Sequence, residues 1–369
     1  MTKGWSETWI ALQIDSVYPY FADLRSIQGA IISSELGLNP QENNPGDPWG
    51  RIMNYPQVWL EIAKIFNITN DLHFLIFGVA ILMSFFICCI ELLRRFPNIF
   101  LLISLFSSST LLAVERGNND LLIFSLVFIS LFMSQKLQAC IVLIAIILKI
   151  YPVFSIINHS LSKKKWIVYL LIILIIVLLY SPQFTYILEG NTASGSKSYG
   201  LQLSFEIFMV FRSQFSDKFV SKNDMYFDII FLSVAIFMLF IVFTQRKQIY
   251  KLISIDCPEI TAKSLEARMF LAGAGIYCGT FIFSTNHDYR LIFLIMCFPF
   301  LQIINKFIFK ILLPMLIILV MNFSFIDLVL GKYSIWIGYF VSLFSKNLVF
   351  VFLLILLFQL IPKVRKLVI

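Results

Sequence analysis

Residues 72–93 read LHFLIFGVAILMSFFICCIELL, an apolar run closed directly by Arg94-Arg95. At about 1.5 Å of rise per residue, a helix of this length spans about 33 Å, enough to cross a hydrocarbon core of about 30 Å. The run lacks the period-two alternation of a barrel strand, and lipid tolerates no unpaired backbone groups, so a membrane helix is implied. Outward from it the pattern repeats, with apolar runs at 99–114, 121–134, 137–157, 166–180, 226–243, 269–283, 291–304, 307–329 and 347–361. Residues 333–345 form a further aromatic stretch that either lies in the interface or extends the last span. The expectation is an all-α polytopic membrane protein of about nine to eleven transmembrane or re-entrant helices, a single integral membrane domain over 1–369.

Composition agrees. Hydrophobic residues make up 59% and charged residues 14%, with a mean hydropathy of +0.86. An ordinary soluble domain carries about 25% charged residues, so a soluble fold is excluded. The net charge of +8 sits in clusters at the ends of spans and calls for no nucleic-acid partner. Six scattered cysteines without C-x-x-C spacing indicate neither a disulfide framework nor a zinc site, and read as small buried hydrophobes. No metal and no cofactor is expected.

The clusters Arg94-Arg95, Lys163-Lys164-Lys165, Arg246-Lys247, Lys306 with Lys310, and Lys363 with Arg365 and Lys366 fall at alternate ends, which assigns them to the cytoplasm. Residues 1–70, with four Lys/Arg against seven Asp/Glu, and the loop 181–225 then face outside. Three full spans do not fit between an outer 115–120 and an inner Lys163. Run 121–134 makes a helix of only about 21 Å, and 137–157 is interrupted by Tyr151-Pro152. One of this pair is therefore expected to be broken or re-entrant, covered by protein or lining a cavity. Residues 5–20, interrupted by Glu7, Gln13 and Asp15, read as neither a signal peptide nor a span; either the first span translocates this tail or, as the favoured expectation, a further helix lies upstream of it.

Polar chemistry is concentrated before the first span. Pro19 opens a helix that carries Phe21, Leu24, Ile27 and Ile31 on one face and Asp23, Ser26 and Ala30 on another, an outer amphipathic helix suited to lying on the leaflet. Asp23 and Arg25 are two residues apart and do not face each other. Residues 39–51, NPQENNPGDPWGR, hold three prolines and two glycines, a shaped loop or simply a solvated one. Tyr55-Pro56 and Trp59 return the chain to the interface, where aromatic rings prefer to sit.

Three further features are polar within apolar surroundings. Glu115-Arg116-Gly117-Asn118-Asn119-Asp120 reads as a hydrated turn or as a site; a turn has no need of an acid–base pair, two amides and another acid. Lys149 lies deep in an apolar run, where an unpaired cation costs about 2.5–3.5 kcal/mol, so it snorkels, pairs or meets a ligand anion, with snorkelling the ordinary outcome. In Asn286-His287-Asp288-Tyr289-Arg290 the imidazole titrates near neutrality, but no Ser/His/Asp triad has the right spacing. Arg290, a planar fixed cation, suits phosphate better. No glycine-rich nucleotide loop precedes a helix.

Asp23-Leu24-Arg25, Asp47-Pro48-Trp49-Gly50-Arg51 and Asn54-Tyr55-Pro56 together resemble the first outer loop of the polytopic GT-C glycosyltransferases. The nearest branch is the bacterial polyprenyl-phosphate-sugar-dependent one that includes mannosyltransferase-like proteins. Glu115-Arg116-Gly117-Asn118-Asn119 and Lys149-Ile150-Tyr151-Pro152 are similar to its Arg-Gly-Asn and Lys-x-Tyr-Pro elements, and Asp288-Tyr289-Arg290 to its late outer-loop motif. The family's first span and its soluble C-terminal domain have no counterpart here. The resemblance implies inverting transfer of a sugar from a polyprenyl-monophosphate donor to a glycan or lipid acceptor, at the outer face of a bacterial plasma membrane. Asp23 is then the base that takes the acceptor proton. Arg25, Arg51, Tyr55, Arg116, Asn118, Asn119, Lys149, Asp288 and Arg290 are the donor-phosphate and substrate-binding candidates, their cations stabilising the leaving phosphate. The alternative is a lipid or glycolipid flippase or a small-molecule transporter, which also uses broken helices and intramembrane charge.

Overall fold

The computed structural model describes residues 4–159, 174, 198–201, 203, 264–283, 285–323 and 335–366. The run at 166–180 apart from residue 174, the run at 226–243, most of the loop 181–225, and residues 324–334 lie outside the described residues. What is described is mostly helical.

The amino-terminal part holds α1 (Trp5–Ala11), α2 (Ala22–Glu35) and α3 (Val58–Ile65). After them comes α4 (Asp71–Arg95), whose start is set locally: the Asn70 side chain accepts from the Leu72 and His73 amides. Asp71 in its first turn and Arg94 and Arg95 in its last complement the helix dipole. Buried residues recur at Phe74, Gly78, Ile81, Phe85, Cys88 and Leu92, one stripe at helical spacing. The opposite face, with Leu72, Ile76, Met83 and Ile90, is exposed yet apolar, as a lipid-facing surface is.

Run 99–114 becomes two helices, α5 (Ile99–Leu105) and α6 (Ser108–Arg116), split where Ser107 leaves the helix and its side chain accepts from the Thr110 amide. Run 121–134 becomes α7 (Asp120–Ser130) and run 137–157 becomes α8 (Gln135–Leu148), followed by a 3-10 helix over Tyr151–His159. The break expected in this pair falls at Lys149, whose backbone is extended. Three described helices are long and apolar enough to cross a membrane, namely Asp71–Arg95, Ile99–Arg116 taken as one, and Val341–Leu360 within the last helix. The larger number of spans read from the sequence goes beyond what these residues show.

The centre of the molecule is α9 (Leu265–Phe283), buried on nearly all sides by the two 3-10 helices, Tyr151–His159 and Asp288–Cys297. Ten residues is long for a 3-10 helix, in which runs beyond three or four are uncommon. Next come α10 (Phe298–Ile303), a π-helical turn over Ile308–Leu312 and α11 (Leu313–Met321). Pro314 has no N–H to offer the preceding turn, which accounts for the widened ladder before it. The described part of the stretch 333–345, from Ile335 on, and the run 347–361 prove to be one helix, α12 (Ile335–Lys366). Ser198–Tyr199 (β1) pairs antiparallel with Asn286–His287 (β2), Ser198 opposite His287 and Tyr199 opposite Asn286.

Three expectations are corrected. Helix α2 does not lie on the surface: Ala22, Leu24, Ser26, Ile27, Gln28, Gly29, Ala30, Ile31 and Ser33 are all buried, because residues 39–51 fold back over its polar face. Asn44 secures that loop, donating to Ser26 O (3.2 Å) and Arg51 O (2.9 Å) and accepting from Ser33 Oγ (2.8 Å). Gly29 and Gly46 permit the approach; a Cβ on Gly29 would stand 2.4 Å from Asp47 N, and one on Gly46 2.3 Å from Gly29 O. Trp59 is not an interfacial ring either. It is 1% exposed and donates from Nε1 to Leu148 O at 2.9 Å. Of the described cysteines, Cys140 is exposed and departs from the buried reading; Cys88, Cys89, Cys278 and Cys297 fit it.

Candidate functional site

The starts of α2, α4 and α7 and the ends of α6, α8 and α9 gather at one end of the molecule, and the sequence-predicted polar residues collect there. Helix α6 stops at Gly117, which turns left-handed (φ +56°) against Phe21. The turn delivers Asn118, whose Oδ1 accepts from the Asp120 amide at 2.8 Å and whose Nδ2 donates to Asp23 Oδ2 at 2.6 Å. Asp23 Oδ1 faces Arg51 Nη1 at 3.5 Å. Asp23 is thus held from two sides by residues 28 and 95 positions away in sequence. Its side chain keeps 16% of its exposure, whereas those of Asp47 and Asp120 keep none.

Arg51 is itself oriented by Asp47, which takes Nε at 3.1 Å and Nη2 at 2.9 Å in a forked pair. The same carboxylate accepts from the Trp49 and Arg51 amides (3.1 and 2.9 Å), so Asp47 is the carboxylate that organises the loop. The Arg51 guanidinium lies over the Trp49 ring at 4.6 Å.

Beside this pair sits an ionic cluster around a fully buried carboxylate. Asp120, 0% exposed, accepts from Lys149 Nζ, from Tyr151 OH at 2.7 Å and from Arg290 Nε at 3.3 Å. Lys149 therefore pairs and does not snorkel, correcting the ordinary outcome expected for it. The break in α8 is what allows this, since an extended Lys149 leaves the helix at the level where α7 begins. Lys149 Nζ also lies 5.1 Å from the centre of the Tyr55 ring, and the Arg290 guanidinium 4.4 Å from that of Tyr151. Arg290 donates further to Asn286 Oδ1. Asn119 is 0% exposed, and neither polar atom of its amide has a hydrogen-bond partner among the described residues.

Other candidates stand apart. Arg25 donates to Tyr20 O (3.1 Å) and Gln28 Oε1 (2.9 Å) and stacks over Phe74, so it fastens α2 to α4 rather than facing Asp23. Arg116 is 3.1 Å from Glu115 Oε2. Glu115 in turn anchors the amino-terminal segment, accepting from Trp5 Nε1, Ser16 Oγ and the Val17 amide. Asp288 is taken by Lys346 Nζ at 2.7 Å, and that ammonium also donates to Ser198 O at 2.9 Å. Lys346 went unremarked in the sequence, where it stands between two apolar stretches; a cation inside such a run is the signal that would have found it. Tyr151, quoted only within a motif, is a full member of the Asp120 cluster.

Burial pushes the His287 imidazole below its ordinary range, with the Asp23 carboxylate opposing and the Arg290 and Arg116 cations reinforcing. Its ring stacks on Tyr289 at 5.3 Å. Burial, aided by the Asp23 charge, raises the Tyr55 hydroxyl well above the usual tyrosine range, so it stays a neutral phenol. Among the described residues no three His, Cys, Asp or Glu side chains converge as a metal would require.

An apolar groove of about 790 Å³ opens between α5, α11 and α12, lined by residues such as Ile103, Leu312, Leu316 and Phe352 and ending at Asn322. Asn322 Oδ1 accepts from the Ser108 amide at the start of α6 (3.3 Å), and the neighbouring Phe323 packs with Leu112 and Tyr289. No family model, curated protein or solved structure matches this chain.

Proposed function

We propose that this protein is an inverting glycosyltransferase that moves a sugar from a polyprenyl-monophosphate donor to a glycan or lipid acceptor at the outer face of a bacterial plasma membrane. The observation that carries this reading is a partly open carboxylate, Asp23, fixed by Asn118 and Arg51 beside the paired cations Lys149 and Arg290. The acceptor hydroxyl must shed a proton as it attacks the anomeric carbon, and Asp23 is the carboxylate left accessible to take it. Charge develops on the leaving phosphate, which is a good leaving group without a protonated acid. Fixed cations and donors near the forming charge lower that barrier. Arg51, open on one side, and the Lys149–Arg290 pair, already held by Asp120, Tyr151 and Asn286, supply such a field. Asn118 positions the base, and the Asn119 amide, which has no partner among the described residues, is available to substrate polar groups. The groove along α11 suits an isoprenoid chain, since its walls are apolar except for Asn322, whose neighbour Phe323 packs in one cluster with Tyr289.

Purified protein in nanodiscs with a polyprenyl-phosphate sugar and acceptor tests this directly. Transfer is expected, and Asp23→Asn, which keeps the shape and the bond to Asn118 possible, should reduce turnover by about 10²-fold or more with an unchanged melting curve. Broken helices and buried charge also suit a carrier. Counterflow of the lipid or sugar without any transfer would therefore replace the enzymatic reading.

A further inference from the structure

Helix α3 has two unlike faces. Trp59, Leu60 and Ala63 are buried, while its last turn ends in Ile65, 78% exposed, and Phe66, 55% exposed. Two large apolar side chains presented outward at a helix tip are costly in water, and here they do not stand alone. The Phe66 ring packs on Phe77 of α4, centroids 5.1 Å apart. Phe77 is six residues beyond Asp71, so it lies about 9 Å along α4 from the helix start. At that level the exposed surface of α4 is Leu75, Ile76 and Val79, the face already described as lipid-facing. The tip of α3 is thus continuous with the apolar belt. Asn67, left-handed at φ +49°, reverses the chain after the tip, and Asn70 then starts α4.

The buried face of the same helix touches the ionic cluster. Trp59 Nε1 holds Leu148 O at 2.9 Å, the last carbonyl before the break that releases Lys149. Tyr55, just before α3, supplies the ring facing Lys149 Nζ, and its own ring packs against Trp59 at 6.4 Å. One short helix therefore joins the outer surface of α4 to the segment that positions Lys149.

We propose that Ile65 and Phe66 insert into the acyl region of the leaflet on the Asp23 side, and that this lipid contact seats α3 so that Trp59 holds the Leu148–Lys149 break in place. The occupant of the exposed tip is bilayer hydrocarbon, because the patch extends the surface of a membrane-length helix without interruption. Residues at the tip touch no reacting group; Trp59 acts as a positioning residue through Leu148.

Full-length protein in phosphatidylcholine nanodiscs, carrying a photo-crosslinking phenylalanine analogue at position 66, tests the contact. Irradiation should add the mass of one phosphatidylcholine, as it should with the analogue at Ile76 on the outer face of α4. The same analogue at Leu36, exposed at the end of α2, should add none. An adduct at position 76 with none at 66 overturns the insertion. For the link to Lys149, Phe66→Asp in the same discs should speed amide hydrogen exchange severalfold over residues 145–151 and leave α9 unchanged. Unaltered exchange over 145–151 in a variant whose position 66 has left the lipid overturns the coupling. Neither readout depends on sugar transfer, so the outcome stands apart from the glycosyltransferase reading.

Discussion

Asp120 accepts from three side chains on two segments: Lys149 and Tyr151, at the junction of α8 and the 3-10 helix that follows it, and Arg290 in the other 3-10 helix. Each cation is largely withdrawn from solvent, and each is tolerable there because this one carboxylate serves both. Asp120→Asn keeps the size and removes the charge, leaving two such cations uncompensated. Breaking a buried pair in this way costs about 3–5 kcal/mol, so thermal unfolding in detergent should show a large loss, well beyond that of exposed Glu61→Gln on α3. His287 makes a second residue-level prediction. Burial depresses its folded pKa, so the fold favours neutral imidazole. Its contribution to stability is fully present above the ordinary histidine value of about 6.5 and is lost as pH falls through the depressed folded value. Melting temperature measured across acid pH should fall less steeply for His287→Asn than for the unaltered protein. Both groups were visible in the sequence, but their partners were not. Lys149 and Asp120 are 29 positions apart, and only the break in α8 brings them together.

At the scale of the element, legibility depended on whether a helix owes its environment to itself or to a distant segment. Helix α4 could be read almost to its ends, since a long apolar run, an Asn cap and a terminal Arg pair are all local signals. The break near Tyr151-Pro152 was legible for the same reason. Helix α2 misled because its polar face looks amphipathic until residues 39–51 close over it, a tertiary event that periodicity does not carry. The Gly29–Gly46 contact that seats this loop gives a prediction. Gly29→Ala would set a Cβ 2.4 Å from Asp47 N, so the loop must shift and carry Arg51 away from Asp23. Overpacking of this kind costs about 1–3 kcal/mol. Transfer activity should fall with it, although Gly29 touches no reacting group. A variant with a normal melting temperature and normal turnover would show that the loop's position is immaterial to the site.

For the whole molecule, the decisive geometry is that of α12. Lys346 sits at the site end, bonded to Asp288 and to the Ser198 carbonyl of β1. The same unbroken helix continues to Lys366, and twenty residues at about 1.5 Å each carry the chain about 30 Å away, the thickness of a hydrocarbon core. Residues 341–360 have the hydropathy of a span. Asp23, Ser198 and Asp288 therefore belong to one side, and the basic end at Lys363, Arg365 and Lys366 to the other. From the charge bias we propose that the basic end is cytoplasmic and that the candidate site faces outside. Reporter fusions placed after Ser194 and at the carboxyl terminus should then give opposite readings, outside for the first and cytoplasmic for the second. If both report the same side, α12 does not cross the bilayer, and a lipid-linked donor presented from the outer leaflet loses its structural basis. If the two are opposite but reversed, the site faces the cytoplasm, and the donor must be presented from the inner leaflet.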